Sequence, residues 1–295
     1  MNNFFKNTIL WALTLGSLGA QAPQELGTRP ESITRGFGGD LFVSVMGEKK
    51  PGDAVIKRIN SDGKLSVFTG GMDEPKGIAF VGEHLVVSDL ARVWKINKKG
   101  EASVLAHRHS FPKQIRFLND VVAVPGEAAI YVTDMGSNHL MFETPGKFWA
   151  LDSEEAKAIP AHGRLYKITL DGKVTEILSG APEMRNPNGV GIGRDGLILI
   201  GGFFTGNLLE YRDGKLEVIA SGFRGADAVE QDKDGVYYIS SWTQGKIWSY
   251  DPKTKKTTII KEGLQTAADF YFDQQTRKIY CPDMLGGNLH TITLP

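Results

Sequence analysis

Six residues recur at the same place in six similar segments of the sequence, and five of them could bind a metal ion or carry charge beside one. Each residue stands at the start of a short apolar segment. The six are Glu31, Lys76, Asn119, Asn188, Asp227 and Asp269. They are separated by 45, 43, 69, 39 and 42 residues, which is the period of a propeller blade apart from one long interval. The pattern therefore predicts a fold and the place of a site.

The chemical types of these residues favour a hard cation. Glu31, Asp227 and Asp269 are carboxylates, Asn119 and Asn188 are primary amides, and none of the six is histidine or cysteine. Oxygen ligands of this kind suit calcium or magnesium better than zinc. Carboxylates that face each other across a narrow channel would also repel each other without a cation. The alternative is that these side chains hydrogen-bond the inner strands, or one another, around a water-filled axis.

The segments that separate the six residues predict short strands. Residues 85–89, 130–134 and 236–240 are β-branched and aromatic and read as second strands, and residues 92–96, 163–168 and 246–250 read as third strands. Asp-Gly pairs supply tight hairpin turns. These pairs begin at Asp62, Asp171, Asp195, Asp213 and Asp234. We predict an all-β fold, a six-bladed β-propeller of four-stranded antiparallel blades.

The last repeat tests the number of blades. It ends at Leu294-Pro295 after its third strand, so the outer strand of that blade is missing from the C-terminus. An uncovered strand edge is a liability, and a strand from the other end of the chain would cover it. Residues 24–29 are the segment available, so we predict closure by an N-terminal strand.

Antiparallel geometry places the six residues on one face of the propeller. In such a blade the start of the first strand and the loop between strands two and three lie at the same end. The six residues should therefore surround the axis there. The long interval is explained by an insertion over residues 135–162 in one of these loops, and it should overhang the channel as a lid. Phe203, Phe204 and Trp242 lie on neighbouring loops, where they line an apolar pocket or pack between blades.

Composition bounds the remaining possibilities. The formal net charge is zero, which gives no reason to expect nucleic acid or an anionic membrane as a partner. Cys281 is the single cysteine, so no internal disulfide forms. No linker divides the chain, and we assign residues 23–295 to one domain. We expect a monomer whose partner is a small-molecule substrate.

The first 22 residues have the pattern of a secretory signal peptide. Lys6 precedes an apolar stretch from Thr8 to Leu18, and small residues follow up to Ala22. The stretch is too short for a membrane span. Cleavage after Ala22 or after Ala20 would release a protein without a membrane anchor, so we expect a periplasmic or secreted location.

Several motifs resemble those of the senescence-marker-protein/gluconolactonase family, which is related to paraoxonases and diisopropyl fluorophosphatases. The likeness extends over essentially the whole chain after the signal peptide. It is sharpest at residues 186–190, at residues 225–229 and at Glu31. The resemblance implies a calcium ion held by Glu31, Asn188 and Asp227, with Asn119 beside it as a ligand or substrate contact; magnesium and zinc stay open.

The resemblance also implies hydrolysis of a lactone or ester, in the family a sugar lactone. Asp227 would be the catalytic residue that activates water beside a metal-polarised carbonyl. Lys76 would bind a substrate carboxylate or stabilise negative charge, or else form a salt bridge with Glu31 or Asp269. Asp269 would contact substrate or metal, or only pair with Lys76.

The sequence departs from the family pattern near the expected substrate. Ser32-Ile33 follows Glu31 where the family has Gly-Pro, and two residues separate Arg116 from Asn119 where the family has one. These departures affect sugar recognition more than the metal ligands. The competing hypothesis is an exported, non-catalytic propeller that binds a protein or small ligand through the same face. A synthase of the strictosidine type shares the fold but lacks these ligands.

Overall fold

The structure, a computed structural model, describes residues 22–294, which form six four-stranded antiparallel sheets and one small hairpin. The sheets are the blades of a six-bladed β-propeller, as the sequence predicts. The first and sixth blades are in contact and complete the circle. The predicted signal peptide lies outside the described residues except for Ala22. Within residues 22–294, no helix has the length and apolar character needed to cross a bilayer.

The strands follow the chain from blade to blade, with the innermost strand first. After the N-terminal strand β1 (Gln24–Glu25), blade one contains β2 (Pro30–Arg35), β3 (Leu41–Val45), β4 (Ala54–Ile59) and β5 (Leu65–Met72). Blade two contains β6 (Pro75–Val81), β7 (His84–Asp89), β8 (Arg92–Ile96) and β9 (Ala102–His107). Blade three contains β10 (Leu118–Ala123), β11 (Ala129–Asp134), β14 (Arg164–Thr169) and β15 (Val174–Ser179). An insertion between β11 and β14 contains β12 (Phe142–Thr144), β13 (Lys147–Phe148) and the helix α1 (Glu154–Ala158).

The second half of the chain forms blades four to six. Blade four contains β16 (Pro187–Ile192), β17 (Ile198–Gly202), β18 (Leu208–Arg212) and β19 (Lys215–Ala220). Blade five contains β20 (Ala226–Gln231), β21 (Tyr237–Ser241), β22 (Lys246–Asp251) and β23 (Lys256–Lys261). Blade six contains β24 (Tyr271–Asp273), β25 (Lys278–Asp283) and β26 (Asn288–Thr293), with β1 as its outer strand.

The N-terminal strand closes the circle. Gln24 pairs with Leu289 and Glu25 with Asn288, in antiparallel register. Leu26 follows at once and is fully buried, because its side chain enters the core of the seam between blades one and six. Closure by residues 24–29 is thus confirmed, and the outer edge of β26 is covered.

The inner strands of five blades share an irregularity at their start. In β2, β6, β10, β16 and β20 the pairing with the second strand shifts by one residue within the first four positions. A β-bulge of this kind turns a side chain away from the regular alternation of the strand. The second residue of each of these strands lies inside the bulge, and it is the residue that the sequence repeat singles out.

The insertion of residues 135–162 lies between the second and third strands of blade three, as predicted. Its hairpin and helix pack on loops of the fourth and fifth blades, with Phe148 in edge-to-face contact with Phe203 and Phe204 at ring-centroid distances of 5.5 and 5.7 Å. Arg224 fixes this contact, since its guanidinium stacks on Phe148 and donates to the Trp149 carbonyl oxygen at 3.0 Å. Phe203 and Phe204 are therefore buried beneath the insertion.

Candidate functional site

Five of the six predicted residues occupy the second position of an inner strand, on one face of the propeller. They are Glu31, Lys76, Asn119, Asn188 and Asp227. Each is at most 6 % exposed, although all five are polar or charged. We call these five residues, with Ala268 in the sixth blade, the channel ring. Because polar side chains are seldom buried to this extent without a function or a partner, the channel ring is the candidate site.

Buried aspartates at the ends of second strands hold the loops that lead into the ring. Asp89, Asp134 and Asp283 are at most 4 % exposed. Their carboxylates accept backbone N–H groups from the residue two positions before the ring. The bonds are Glu74 N to Asp89 Oδ1 at 2.7 Å, Phe117 N to Asp134 Oδ1 at 2.8 Å and Thr266 N to Asp283 Oδ1 at 2.9 Å. The sequence shows these aspartates as strand ends but does not reveal this role.

Glycine allows the inner strands to approach each other beside the ring. A Cβ atom on Gly189, next to Asn188, would lie 2.1 Å from the carbonyl oxygen of Asp227. A Cβ on Gly77, next to Lys76, would lie 2.4 Å from the backbone nitrogen of Val121. No larger residue is tolerated at such distances, so the two glycines set the spacing of neighbouring ring residues.

Four ring residues hold a buried oxygen that has no hydrogen-bond partner. The atoms are Glu31 Oε2, Asn119 Oδ1, Asn188 Oδ1 and Asp227 Oδ1. An unsatisfied buried acceptor costs about 1–3 kcal/mol, so four at equivalent positions are too costly to be incidental. A bound cation would satisfy them together. Two carboxylates and two amides are a ligand set for a hard ion such as calcium, with water completing the shell.

The electrostatics of the ring favour a cation as well. Burial raises the pKa of Glu31 from 4.5 to about 8, and the negative charge of Asp269 adds to the rise while Lys76 opposes it. The pKa of Asp227 is also raised well above its ordinary value, first by burial and then by the charges of Glu31 and Asp269. The carboxylates thus destabilise each other's charged forms. Within residues 22–294, no three His, Cys, Asp or Glu side chains gather in metal-binding geometry, so the two amides are essential to this ligand set.

Lys76 has a different partner from those predicted. Its Nζ lies 3.4 Å from Met46 Sδ, 3.7 Å from Glu74 Oε2 and 4.7 Å above the ring of Phe117. No ion pair with Glu31 or Asp269 forms within 4 Å among the residues that the structure describes, so that alternative is wrong. The reason is that Glu74, in the loop that leads into β6, is closer. Within the described part of the chain, the carboxylate nearest to the ammonium group is therefore that of Glu74, at 3.7 Å.

Asp269 is not the sixth ring residue. In the other blades, the residue before the ring residue pairs with the end of the second strand. In blade six the corresponding pair is the β-bridge between Ala267 and Asp283, so Ala268 holds the ring position. Asp269 lies one residue deeper, equivalent to Ser32 and Asp120. The Ser32 hydroxyl donates a hydrogen bond to its Oδ2 atom. The prediction of Asp269 as a ring residue is wrong because the sequence interval cannot fix a strand register to one residue.

Asp120 is a site residue that the sequence reasoning missed. Its carboxylate accepts the backbone N–H groups of Val121 and Val190, both at 2.7 Å, and so joins the inner strands of the third and fourth blades. With Glu230 and Asp269 it lines a cavity of about 190 Å³ in the channel below the ring. Burial raises the pKa of Asp269 to about 7, and burial with the charge of Asp269 raises that of Glu230 to about 8. The sequence held a signal for this role, since Asp120 directly follows the predicted ring residue Asn119.

Comparison with models of protein families gave no match, and comparison with curated proteins gave none either. The fold is similar to that of several solved structures. A gluconolactonase from Xanthomonas campestris is 19 % identical over 94 % of this chain and 99 % of its own, with a TM-score of 0.62. A luciferin-regenerating enzyme is 15 % identical over 92 % of both chains, with a TM-score of 0.65.

The same fold also occurs in a protein–protein complex. A chain of a nidogen/laminin complex is 16 % identical over 80 % of this chain and 81 % of its own, with a TM-score of 0.61. Structural similarity at identities this low establishes the propeller fold alone, so the activity must be argued from the site.

Proposed function

We propose that this protein is a metal-dependent hydrolase that opens a lactone or ester at the channel ring. The observation that carries the proposal is the set of four buried, unpaired oxygens at equivalent positions of four blades. Glu31, Asn188 and Asp227 would hold the metal, and Asn119 would serve as a fourth ligand or contact the substrate. Calcium suits these donors best, and magnesium and zinc are the alternatives.

The ring residues supply groups for each part of the reaction. A bound cation would polarise the substrate carbonyl as a Lewis acid. Asp227 would orient a water molecule and accept its proton as the water oxygen bonds to the carbonyl carbon. The bond between that carbon and the ester oxygen then breaks, and the leaving oxygen takes a proton. The product of a lactone is one hydroxy acid, and water is the only co-reactant.

Lys76 is placed to stabilise charge at the carbonyl oxygen. Its ammonium group is buried and, among residues 22–294, lies beside the Met46 thioether and the Glu74 carboxylate, the latter at 3.7 Å. Such a group can donate to an oxygen that becomes negative during the reaction. Asp269, one layer deeper and bonded to Ser32, would act on the ring through its charge rather than by touching the substrate.

A second candidate function is binding of a partner without catalysis. The insertion packs on the loops beside the ring, and it exposes Leu140 and Leu151 to solvent at 42 % and 47 %. Exposed apolar side chains on a loop face are typical of interaction surfaces. In either case we propose that the mature protein, residues 23–295, acts as a monomer in the periplasm or outside the cell.

A hydrolysis assay distinguishes the two candidates. The mature protein is incubated with a panel of lactones and aryl esters in calcium, and again in chelator. We expect turnover that requires calcium and that Asp227→Asn reduces at least about 100-fold, while Asp213→Asn, in an exposed hairpin turn, leaves it unchanged. Absence of turnover across the panel in a calcium-loaded protein would favour the binding function.

A further inference from the structure

A layer of apolar side chains lies directly above the channel ring. In five blades the residue that follows the second strand is apolar, and its backbone N–H bonds the carbonyl oxygen two positions before the ring residue. We call these five residues the collar. The bonds are Met46 N to Arg29 O at 3.0 Å, Met135 N to Phe117 O at 2.9 Å, Phe203 N to Asn186 O at 3.1 Å, Trp242 N to Gly225 O at 2.8 Å and Met284 N to Thr266 O at 3.2 Å.

Two collar residues touch the ring, and four of the five are linked to one another. Lys76 Nζ lies 3.4 Å from Met46 Sδ, and Asn119 Nδ2 lies 2.9 Å from Met135 Sδ. On the other side of the axis, the Trp242 indole N–H donates to Met284 Sδ at 3.5 Å, and its ring centroid is 6.2 Å from that of Phe203. The N–H groups of Lys76, Asn119 and Trp242 that approach this layer therefore contact sulfur atoms rather than oxygen atoms.

The polar side chains at the same level are mostly engaged. The Thr266 hydroxyl bonds Asp283 Oδ1 and the N–H of Leu285. Asn186 donates its amide to the Met135 carbonyl at 2.9 Å and keeps an unpaired Oδ1 atom. Glu74 Oε2 lies 3.6 Å from Arg29 and 3.7 Å from Lys76. At this level Asn186 Oδ1 and Arg29 Nε are unpaired, so a polyhydroxylated substrate would find few free hydrogen-bonding groups beyond these two atoms and the Lys76 ammonium group.

The insertion continues the apolar surface upward. Its Met141, Phe142 and Phe148 form one cluster with Met135, Phe203 and Trp242 of the collar. The insertion packs on Met135, Phe203 and Trp242 of the collar, so a substrate at the ring would lie beside both layers. Any part of the substrate that projects away from the reacting carbonyl would then be surrounded by methyl, thioether and aromatic groups.

We propose that the substrate of this site is a lactone or ester with an alkyl or aryl group, rather than a polyhydroxylated sugar lactone. The inference rests on the proposed hydrolase function. An alkyl group would gain from contact with the collar, by about fourfold in kcat/KM for each methylene buried. Each sugar hydroxyl left without a partner would lower kcat/KM about tenfold.

The test compares two substrate series on the calcium-loaded mature protein. The first is a set of γ-lactones with alkyl chains of increasing length, and the second is glucono-δ-lactone. We expect kcat/KM to rise about threefold to fourfold per methylene and to exceed that for gluconolactone by at least about 100-fold. Met284→Gln should flatten the dependence on chain length, whereas Leu285→Gln, exposed beside it, should not.

Each outcome of this test has a separate meaning. Calcium-dependent hydrolysis of gluconolactone at a rate equal to or above that of the alkyl lactones would overturn the inference and leave the hydrolase function intact. A flat dependence on chain length in the wild type would overturn the inference in the same way. Hydrolysis of neither lactone series and of none of the aryl esters by calcium-loaded protein would overturn the hydrolase function, and the substrate inference would fall with it.

Discussion

Asn119 and Asn188 occupy the same position in the third and fourth blades, and each keeps a buried Oδ1 atom without a hydrogen-bond partner. A neutral amide oxygen can accept hydrogen bonds or bind a cation, but it cannot remove the cost of its burial by taking up a proton. The adjacent glycine at 189 brings the strand of Asn188 against that of Asp227. The pair of amides is therefore strong support for a cation at the ring.

Replacing either amide by leucine should leave the stability of the metal-free protein nearly unchanged and weaken calcium binding. Without calcium, Asn119→Leu and Asn188→Leu remove an unsatisfied oxygen at similar volume, but they also remove the amide contact to Met135 Sδ or to Asp227, so we expect the free energy of unfolding to stay within about 1 kcal/mol of wild type. Calcium affinity should fall at least about tenfold because a ligand is lost. Denaturant unfolding in chelator and calcium titration calorimetry measure the two quantities.

The matched control for these variants is Asn207→Leu. Asn207 accepts from Ser221 at 2.8 Å and donates to the Glu183 carbonyl at 3.1 Å, so its loss should lower stability and leave calcium affinity unchanged. If the ring variants instead lose stability in chelator and bind calcium as tightly as wild type, their oxygens serve the fold rather than a metal.

Lys76→Met should strengthen calcium binding and weaken catalysis. The substitution keeps the packing on Phe117 but removes a positive charge that acts on Glu31. Less repulsion raises the calcium affinity, while loss of a donor to the carbonyl oxygen should lower kcat about 100-fold. Lys113→Met, which breaks a surface pair with Glu176, is the control and should change neither quantity. Weaker calcium binding by Lys76→Met would contradict this view of the lysine.

Much of the fold is predictable from the sequence because its repeats are dense in local signals. Asp-Gly turns at regular places and β-branched strands define the hairpins, and in the structure Gly63 and Gly235 have the positive φ angles, 77° and 90°, that such turns need. The incomplete last blade predicts closure by residues 24–29, since an open strand edge is unfavourable.

The parts of the site that were not predictable depend on tertiary register. Asp269 follows two alanines, and only the bridge between Ala267 and Asp283 shows that it lies one residue below the ring. Glu74 replaces the predicted partners of Lys76 because a loop conformation, not an interval, brings it close. The collar is invisible in the sequence for the same reason, although Phe203 and Trp242 stand on the expected loops.

Arg224→Ala should loosen the insertion. The guanidinium stacks on Phe148 and Phe204 at 4.6 and 4.9 Å from their ring centroids and bonds two backbone carbonyls. Its loss should cost about 1–3 kcal/mol and speed tryptic cleavage after Lys147, whose side chain is exposed. Arg212→Ala, with two long contacts to turn carbonyls on blade four, is the control. Equal cleavage rates for the two variants would show that Arg224 does not hold the insertion.

The free energy of unfolding of the metal-free protein should fall as the pH rises from about 4.5 to about 8. The pKa of Glu230 is raised by burial and by the charge of Asp269, so in this window the folded protein keeps a proton that the unfolded chain has lost. Below the window the contribution is fully present, and above it the contribution is gone. Glu230→Gln should reduce the slope in denaturant unfolding between pH 5 and 9. An unchanged slope would show that a group other than Glu230 causes the pH dependence.

The most direct test of the metal site is thermal unfolding of the mature protein with chelator and with added calcium, magnesium or zinc, wild type beside Asp227→Ala. A ligand that binds only the folded state raises the melting temperature with its concentration. The proposed metal site predicts a large increase with calcium in the wild type and none in Asp227→Ala. No increase with any of the three metals, or an equal increase in both proteins, would contradict a cation held by Glu31, Asn188 and Asp227.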